Sequence, residues 1–395
     1  MLFLVTLNGC AVENTTEATN AVSINSGVLS YPSIDSELGE TLYPNEQVLA
    51  QALALAIEKS IRKEYRPGSA RRDAHPKAHG CVKAEFQVMD SLPEPLAKGM
   101  FVPGKSYQAW VRFSNGSRDA SREDIKGDAR GMAIKVLGVP GTQISEGEEH
   151  AATQDFIMIN HPVFFANDPR RYLSLIKAES SGSFFKKSLI PFELGLKGIL
   201  IARKATTKTI SNPVQARYWS MVPYQLGMGS DRQAVKYSAR SCSATTDPIP
   251  ENPGPNFLRD ALRATLQKGG ACMEFLVQPR TSRSMDIEDS MTEWNEAEAP
   301  FYKVAAIRIP QQSFDTEEQN EFCENLSFSP WHTLPEHRPL GVTNRLRKVI
   351  YDHIDPQVRA TRYRVSDPLR GRRVVKGLKM RCRSWPASRG AQRAS

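Results

Sequence analysis

The sequence lacks the long hydrophobic runs and the short cofactor-binding motifs that assign many proteins to a class. Its longest uninterrupted apolar stretch is far shorter than the roughly 20 residues that cross a bilayer as a helix. It contains neither a GxGxxG nor a P-loop, so no motif supports nucleotide binding. We therefore expect a protein without a transmembrane segment. A nucleic-acid partner is also not expected.

Cysteine is sparse and dispersed. Six cysteines occur in 395 residues, and no two of them form a CxxC pair. This spacing excludes a zinc ribbon and argues against a dense disulfide scaffold. The six are Cys10, Cys81, Cys242, Cys272, Cys323 and Cys382.

Acidic residues are missing from the C-terminal end of the chain. Residues 371–395 contain eight Arg or Lys and no Asp or Glu, whereas the whole chain has a net charge of +9. The rest of the chain is therefore nearly neutral, and segment 366–395 is predicted to be a disordered basic tail rather than a surface for anionic lipid or nucleic acid. Apolar residues make up 40% and charged residues 24%, which is ordinary globular usage and excludes wholesale disorder.

The N-terminal segment leaves the compartment open. Residues 1–11 are apolar and contain Cys10, which would be a lipid-attachment site if it closed a secretory signal. No Lys or Arg precedes Cys10, and Asn8 departs from the small-residue pattern of cleavage sites, so a ragged or truncated N terminus is the alternative. The protein is periplasmic or lipid-anchored if Cys10 closes a signal peptide, and otherwise cytoplasmic. We assign 1–40 to a flexible leader or export-signal remnant, and 41–365 to the folded domain.

The spacing of apolar residues changes along the chain between helical and strand-like periods. Helical spacing is found in the segments 45–65, 168–178, 256–268, 315–325 and 343–354, with Asp168 and Thr343 as predicted N-caps. Strand-like patterns are found in 82–88, 107–113, 132–136, 156–159, 273–277 and 305–309. Many strands with inserted and appended helices predict an antiparallel barrel with helical excursions rather than a parallel α/β sheet.

Two histidines lie just before the first predicted strand. His75 and His79 occur in the segment 72–80, and a histidine held near neutral pH can accept and return a proton. A metal site at this i, i+4 spacing is disfavoured, because Pro76 and Gly80 oppose a helix. The alternative is a solvated loop that happens to carry histidine.

Three later segments place polar residues among apolar ones. Arg112 alternates with Val111 and Phe113, so its side chain faces either a pocket or solvent. Arg130 precedes a glycine in a turn that leads into a strand, and Asn160 follows the apolar run 156–159. Ordinary core strands and turns would explain all three segments equally well.

The last predicted helix carries Arg347 and Tyr351 four residues apart, on one face. A guanidinium beside a phenol favours the phenolate, which is the form a tyrosinate iron ligand requires. Such pairs also occur on solvated helix faces, and the pair alone decides nothing.

Together and in this order, these elements resemble the monofunctional haem catalase family. The family pattern has an arginine three residues before a distal histidine, a V-R-F-S strand, an R-G turn, an N-x-P-x-F-F-x-x-D-P segment and an R-x-x-x-Y helix. The matching residues here are Arg72 with His75, 111–114, Arg130 with Gly131, 160–169, and Arg347 with Tyr351. The similarity covers roughly residues 65–355.

The resemblance implies an α+β protein built on a closed antiparallel β-barrel of the catalase type, with inserted and C-terminal helices and no flavodoxin-like C-terminal domain. It implies haem b as the cofactor and a peroxide as the substrate, in either hydrogen peroxide dismutation or peroxidase turnover. Tyr351 would be the iron ligand, supported by Arg347. His75 would be the distal acid–base residue, and Arg72 and Arg112 would pair with haem propionates. Homo-oligomerisation stays open.

The sequence also departs from the family pattern. Of two adjacent asparagines, the first and catalytic one is replaced by Ile159, so that Asn160 either takes over its role or the contact to peroxide is lost. One extra residue between His75 and the first strand keeps His79 as an alternative distal base, and His332 and His337 are alternative iron ligands.

These departures leave three other functions open. The first is a haem enzyme that converts fatty-acid hydroperoxides, the second a non-catalytic haem-binding protein, and the third a barrel that has lost haem.

Overall fold

The structure is a computed structural model that describes residues 31–65, 72, 74–181, 188 and 190–363, with side chains up to Ile354. The apolar segment with Cys10 and the basic tail with Cys382 lie outside the described residues, so their predicted roles stay predictions. Residues 31–40 belong to the predicted leader, and Glu40 at its end is 1% exposed.

Within the described residues, nine strands form one antiparallel sheet. They are β1 (Ala78–Val88), β2 (Ser106–Asn115), β3 (Arg130–Leu137), β4 (Thr153–Ile159), β5 (Tyr218–Trp219), β6 (Tyr224–Leu226), β7 (Gln233–Ser241), β8 (Ala271–Pro279) and β9 (Tyr302–Ile309). The order is β5-β4-β3-β2-β1-β9-β8-β7-β6, and β5 also pairs with β7. This extra pairing closes eight strands into a barrel, which confirms the predicted fold class.

The alternating apolar residues fill the barrel. Val82 pairs with Val111 in the β1–β2 register, and Val111 pairs with Ile134 of β3, so residues of one pleat face the interior together. An aromatic cluster occupies the interior, with ring centroids 4.6–6.5 Å apart. Its members are Phe86, Phe101, Phe156, Tyr237 and Phe275.

The described helices are α1 (Glu46–Glu64), α2 (Pro169–Ser180), α3 (Ile190–Thr207), α4 (Phe257–Lys268), α5 (Glu317–Asn325) and α6 (Val342–Tyr363). The first, second and last pack together through a second apolar core that includes Leu53, Ile57, Leu173 and Leu346. This three-helix layer lies outside the barrel and carries one wall of the site described below. None of the described helices combines the length and the apolar character needed to cross a membrane.

One of the two predicted N-caps is confirmed. Asp168 accepts hydrogen bonds from the backbone amides of Arg170 and Arg171, and Pro169 begins α2. The prediction for Thr343 is wrong, because α6 already begins at Val342. The Thr343 hydroxyl instead donates a hydrogen bond to the Ser290 hydroxyl at 3.1 Å.

One disulfide, between Cys242 and Cys272, joins the ends of β7 and β8 among the described residues. This agrees with the prediction that cysteines do not form a dense scaffold. Cys81 and Cys323 are free and buried.

Arg345, in the first turn of α6, is fully buried and holds three carboxylates from separate parts of the chain. Its Nε lies 2.7 Å from Glu46 of α1, and its Nη1 lies 2.8 Å from Glu40 and 3.0 Å from Glu288. This network ties α6 to α1 and to two loops, and so sets the position of the helix that carries Arg347 and Tyr351.

Replacing Arg345 by methionine should destabilise the fold strongly, because the Glu40, Glu46 and Glu288 carboxylates would lose the cation that they share. We expect the free energy of unfolding to fall by about 3–5 kcal/mol, the usual cost of breaking a buried ion pair from one side. Urea denaturation followed by circular dichroism measures the free energy of unfolding of the variant and the wild type.

Arg338→Met is the matched control. Arg338 also pairs with Glu40, at 2.7 Å, but its side chain is 16% exposed and Glu40 keeps Arg345 as a partner. The control should lose only about 1 kcal/mol. Equal losses in the two variants would show that the network does not centre on Arg345.

Candidate functional site

Two adjoining cavities lie between the barrel and the helix layer. Their volumes are about 190 Å³ and about 720 Å³. Both are lined by His75 and Tyr351, together with Ile57, Ile157 and Ile350. The sequence-predicted distal histidine and iron ligand therefore lie at the boundary that the two cavities share.

His75 is held in an uncommon backbone conformation against β2 and β3. Its φ is 61°, in the left-handed region that non-glycine residues rarely adopt. Its Nδ1 is hydrogen-bonded to the Ser114 hydroxyl at 3.1 Å, and its carbonyl accepts a hydrogen bond from Arg112 at 2.8 Å. The ring is thus fixed through one nitrogen, which leaves Nε2 for proton exchange.

Gly131 makes room for this ring. A Cβ at position 131 would lie 2.5 Å from Nδ1 of His75 and 2.8 Å from the Ser114 hydroxyl, closer than real contacts allow. The sequence pointed to Gly131 only as part of a turn, and it gave Ser114 no separate role.

Burial and the neighbouring Arg112 charge lower the pKa of His75 to about 4. The imidazole is therefore neutral at neutral pH, with one ring nitrogen unprotonated.

Arg72 and Arg112 line the smaller cavity. Arg112 is 4% exposed, which settles the direction that the sequence left open: its side chain faces inward. Arg72 donates to the backbone carbonyls of Cys323 at 2.9 Å and of Glu324 at 3.2 Å, and it also donates to that of Leu326. Residues 324–328 form a wall of this cavity, although the sequence suggested no role for them in the site.

Arg347 and Tyr351 both line the larger cavity, as their shared helix face predicts. The guanidinium carbon of Arg347 lies 5.8 Å from the centre of the Phe164 ring. Tyr224 is buried close by: burial raises its pKa to about 12, the Arg347 charge opposes this rise, and Tyr351 adds to it. Its hydroxyl has no hydrogen-bond partner among the described residues.

The larger cavity is mainly apolar. Phe164, Phe165 and Tyr172 line it, with ring centroids 4.4–6.0 Å apart. Ile159 also lines it, whereas Asn160 is absent from the described lining of both cavities. The Asn160 side chain instead accepts a hydrogen bond from the Arg130 amide at 2.7 Å. The position of the missing asparagine therefore presents an alkyl group to the cavity.

The alternative distal base, His79, lies inside the barrel wall on β1. It is 1% exposed, and neither ring nitrogen has a hydrogen-bond partner among the described residues. Burial and nearby cations, Arg130 first among them, hold its pKa well below the usual value. His79 does not belong to the described lining of either cavity, whereas His75 belongs to both.

The alternative iron ligands are also outside the described lining of the cavities. His337 is fully buried, with Nε2 accepting from the Met100 amide and Nδ1 bonded to the Tyr237 hydroxyl, each at 3.0 Å. His332 bridges Asp155 at 2.9 Å and Glu148 at 3.0 Å. Both rings therefore have structural hydrogen-bond partners.

The family model and the relatives that match this chain in sequence are catalases or catalase-like proteins. The catalase family model matches residues 49–183, which include His75, Arg112 and Asn160 but not α6. A catalase-like protein from Staphylococcus aureus is 28% identical over 153 residues, which are 38% of this chain and 30% of that protein. The alignment thus spans less than a third of that relative.

Solved catalase structures share the fold over most of the chain. Catalase A from Saccharomyces cerevisiae superposes with a TM-score of 0.56 at 20% identity, covering 87% of this chain and 69% of that one. A fungal catalase gives a TM-score of 0.58 at 19% identity, covering 92% and 72% respectively. At these identities the likeness concerns the fold.

The environment of His332 predicts a pH-dependent contribution to stability. Burial alone would lower its pKa, but the hydrogen bonds with Asp155 and Glu148 prevail and raise it to about 9 from 6.5. Because the folded state binds this proton more tightly, the stabilisation is complete below pH 6.5 and is lost between pH 6.5 and 9.

Wild type and His332→Gln should therefore differ in unfolding free energy by up to about 3 kcal/mol at pH 6, and by much less at pH 9.5. Denaturant titrations across this range measure the difference. A gap that stays constant or widens with pH would contradict the assignment.

Proposed function

The chain is a member of the catalase superfamily, and from this premise we propose that it is a haem-dependent oxidoreductase that acts on a peroxide. One observation carries the proposal: His75 and Tyr351, on elements far apart in sequence, both line the boundary of two adjoining cavities. The curated relatives align over less than a third of their own length, so activity and substrate are proposed here from this chain's own residues.

The cavity residues fit haem b. The boundary and the larger cavity supply apolar walls, which suit a flat hydrophobic ring. Buried nitrogens without a partner among the described residues include Nε of Arg112 and Nη1 of Arg347. Arg112 and Arg72 line the smaller cavity, where guanidinium groups would pair with the propionate carboxylates.

Tyr351 would supply the oxygen ligand to the iron. Tyrosine is the proximal ligand that catalases use, and Arg347 on the same helix face lines the larger cavity beside it. Arg345, two residues before Arg347, fixes the start of α6 and so positions this pair. When bound, haem supplies the iron at which the peroxide O–O bond is cleaved.

His75 would move the proton. With Nδ1 bonded to Ser114 and the ring neutral at neutral pH, Nε2 accepts a proton from the peroxide and returns it to the departing oxygen. The left-handed backbone, Ser114 and the space at Gly131 keep the ring in one orientation for both transfers.

The cavity wall bears on which peroxide reacts. Ile159 offers no hydrogen bond, and Asn160 lies outside the described lining of both cavities, so hydrogen peroxide would lack an amide contact on this wall. The 720 Å³ apolar cavity supports a second candidate, conversion of an organic hydroperoxide such as that of a fatty acid. Non-catalytic haem binding is the remaining alternative.

An absorption spectrum of the protein purified with haem tests the proposal first. We expect a Soret band typical of ferric haem with a tyrosinate ligand, and a spectral change on adding hydrogen peroxide or an organic hydroperoxide. A haem spectrum that neither peroxide changes would favour non-catalytic haem binding. A colourless protein would refute haem dependence.

Tyr351→Phe should weaken haem retention at least about tenfold, or 1.4 kcal/mol, because the iron–oxygen bond is lost. Tyr224→Phe is the matched control, since it removes a buried hydroxyl near Arg347 without removing the proposed ligand. Haem titration of both variants, monitored at the Soret band, gives the comparison. Normal haem binding and an unchanged spectrum in Tyr351→Phe would place the ligand elsewhere.

Ile159→Asn should raise hydrogen peroxide dismutation by roughly tenfold, about the value of one added hydrogen bond. Ile159→Leu keeps the wall apolar and should leave the rate unchanged. Oxygen evolution measures dismutation, and turnover of an organic hydroperoxide is followed in parallel. No gain with asparagine would mean that the apolar wall at position 159 does not limit dismutation.

A further inference from the structure

Two free cysteines meet beside the smaller cavity. Cys81 on β1 is 3% exposed and Cys323 on α5 is 4% exposed, and each thiol is the largest cause of the shift in the other's pKa. Gln319, one helical turn before Cys323, donates to the Cys81 carbonyl at 2.8 Å and holds this face of α5 against β1. The packing of α5 on β1 therefore brings the two cysteines together although they are 242 positions apart in the sequence.

Two arginines lie beside the cysteine pair and affect the pKa of Cys323. Arg72 donates to the Cys323 carbonyl at 2.9 Å, and Arg112 pairs with Cys81 across the β1–β2 register. The hydrogen bond from Cys81, followed by the charges of Arg112 and Arg72, lowers the pKa of Cys323 to about 7 despite its burial. As the donor of that bond, and because it is buried, Cys81 has a raised pKa. These directions would make Cys323 the nucleophile and Cys81 the thiol that keeps its proton.

The pair adjoins residues that line the smaller cavity, although neither cysteine belongs to its described lining. Residues 324–328, which follow Cys323 directly, line the smaller cavity together with Arg72 and Arg112.

We propose that Cys81 and Cys323 are a peroxide-oxidisable dithiol that closes to a disulfide. The Cys323 thiolate attacks one oxygen of hydrogen peroxide, the O–O bond breaks, and the second oxygen leaves as hydroxide, which takes a proton to become water. Cys81 then attacks the sulfenic sulfur, a second water leaves with the Cys81 proton, and the S–S bond forms. Two thiols thus supply the two electrons that reduce one peroxide to two waters.

The disulfide would join β1 to the end of α5 and fix the wall of the smaller cavity. The added peroxide is itself the oxidant, so the reaction does not require haem. A failure of the proposed haem chemistry and a failure of this dithiol are therefore separate results.

Peptide mapping of the full-length protein tests the proposal. Haem-free protein is treated with a small molar excess of hydrogen peroxide, alkylated with N-ethylmaleimide and digested with trypsin without reductant. Cys81 then lies in peptide 78–83 and Cys323 in peptide 309–345, since the bond between Arg338 and Pro339 resists trypsin. We expect these two peptides to become cross-linked, and dithiothreitol to release them.

A second disulfide in the same protein serves as an internal control for the digest. The Cys242–Cys272 disulfide should link peptides 241–259 and 269–280 before and after peroxide. If this link is present while 78–83 and 309–345 are fully alkylated after peroxide, the proposal is wrong. Oxidation of either cysteine to a sulfinic acid without the cross-link would overturn it as well.

Two serine variants assign the roles within the pair. In Cys81→Ser, the hydroxyl still donates to Cys323 but cannot resolve a sulfenic acid, so Cys323 should accumulate as sulfenic or sulfinic acid. In Cys323→Ser, Cys81 should stay reduced. Thermal melting checks that both variants fold. Equal oxidation of the remaining cysteine in both variants would contradict the assignment of Cys323 as the nucleophile.

Discussion

The buried ion network around Arg345 is the constraint on which the rest of the site depends. A lone cation in the core would cost several kcal/mol, and here carboxylates from α1 and from two loops surround it. Because these partners come from separate parts of the chain, they satisfy Arg345 only when α6 lies in one place. That place brings Tyr351 to the two cavities that His75, from the other end of the domain, also lines.

The barrel constrains the opposite wall in a different way. His75 precedes β1 in a left-handed conformation that costs about 1–3 kcal/mol, so it needs support from its neighbours. Ser114 and Arg112 of β2 provide that support, and Gly131 of β3 leaves the ring its space. A side chain held by two paired strands is positioned more precisely than one on a free loop. One wall is therefore fixed by charge and the other by sheet register.

Local sequence patterns predicted most of the barrel because most strands have one apolar face. They missed β7, where Lys236 and Ser238 are buried alongside Val235 and Tyr237, so polar and apolar residues are buried together. They also missed β5, whose two residues close the barrel, and α3, whose helical turns are interrupted at Gly195. A two-residue strand has no period to detect, and its pairing is purely tertiary.

For the candidate site too, local patterns predicted some residues, and the contacts between strands decided the others. Spacing alone put Arg347 and Tyr351 on one helix face, and family resemblance joined them to His75. Neither could supply the direction of Arg112, the hydrogen bond that the Asn160 oxygen accepts from Arg130, or the role of Gly131. Those depend on which strand lies beside which. His337 illustrates the reverse case, since only the fold shows that both its nitrogens are occupied.

The pairing of the buried arginines distinguishes a structural role from a ligand-binding role more clearly than the histidines do. Arg345 is fully buried and has three carboxylates, so its charge is neutralised within the protein. Arg112 and Arg347 have no carboxylate at ion-pair distance among the described residues, and each keeps a buried nitrogen without a partner. Uncompensated cations beside an apolar cavity are costly. A ligand with an apolar body and anionic groups would repay that cost, which is the chemistry of a porphyrin with propionates and a phenolate-bound iron.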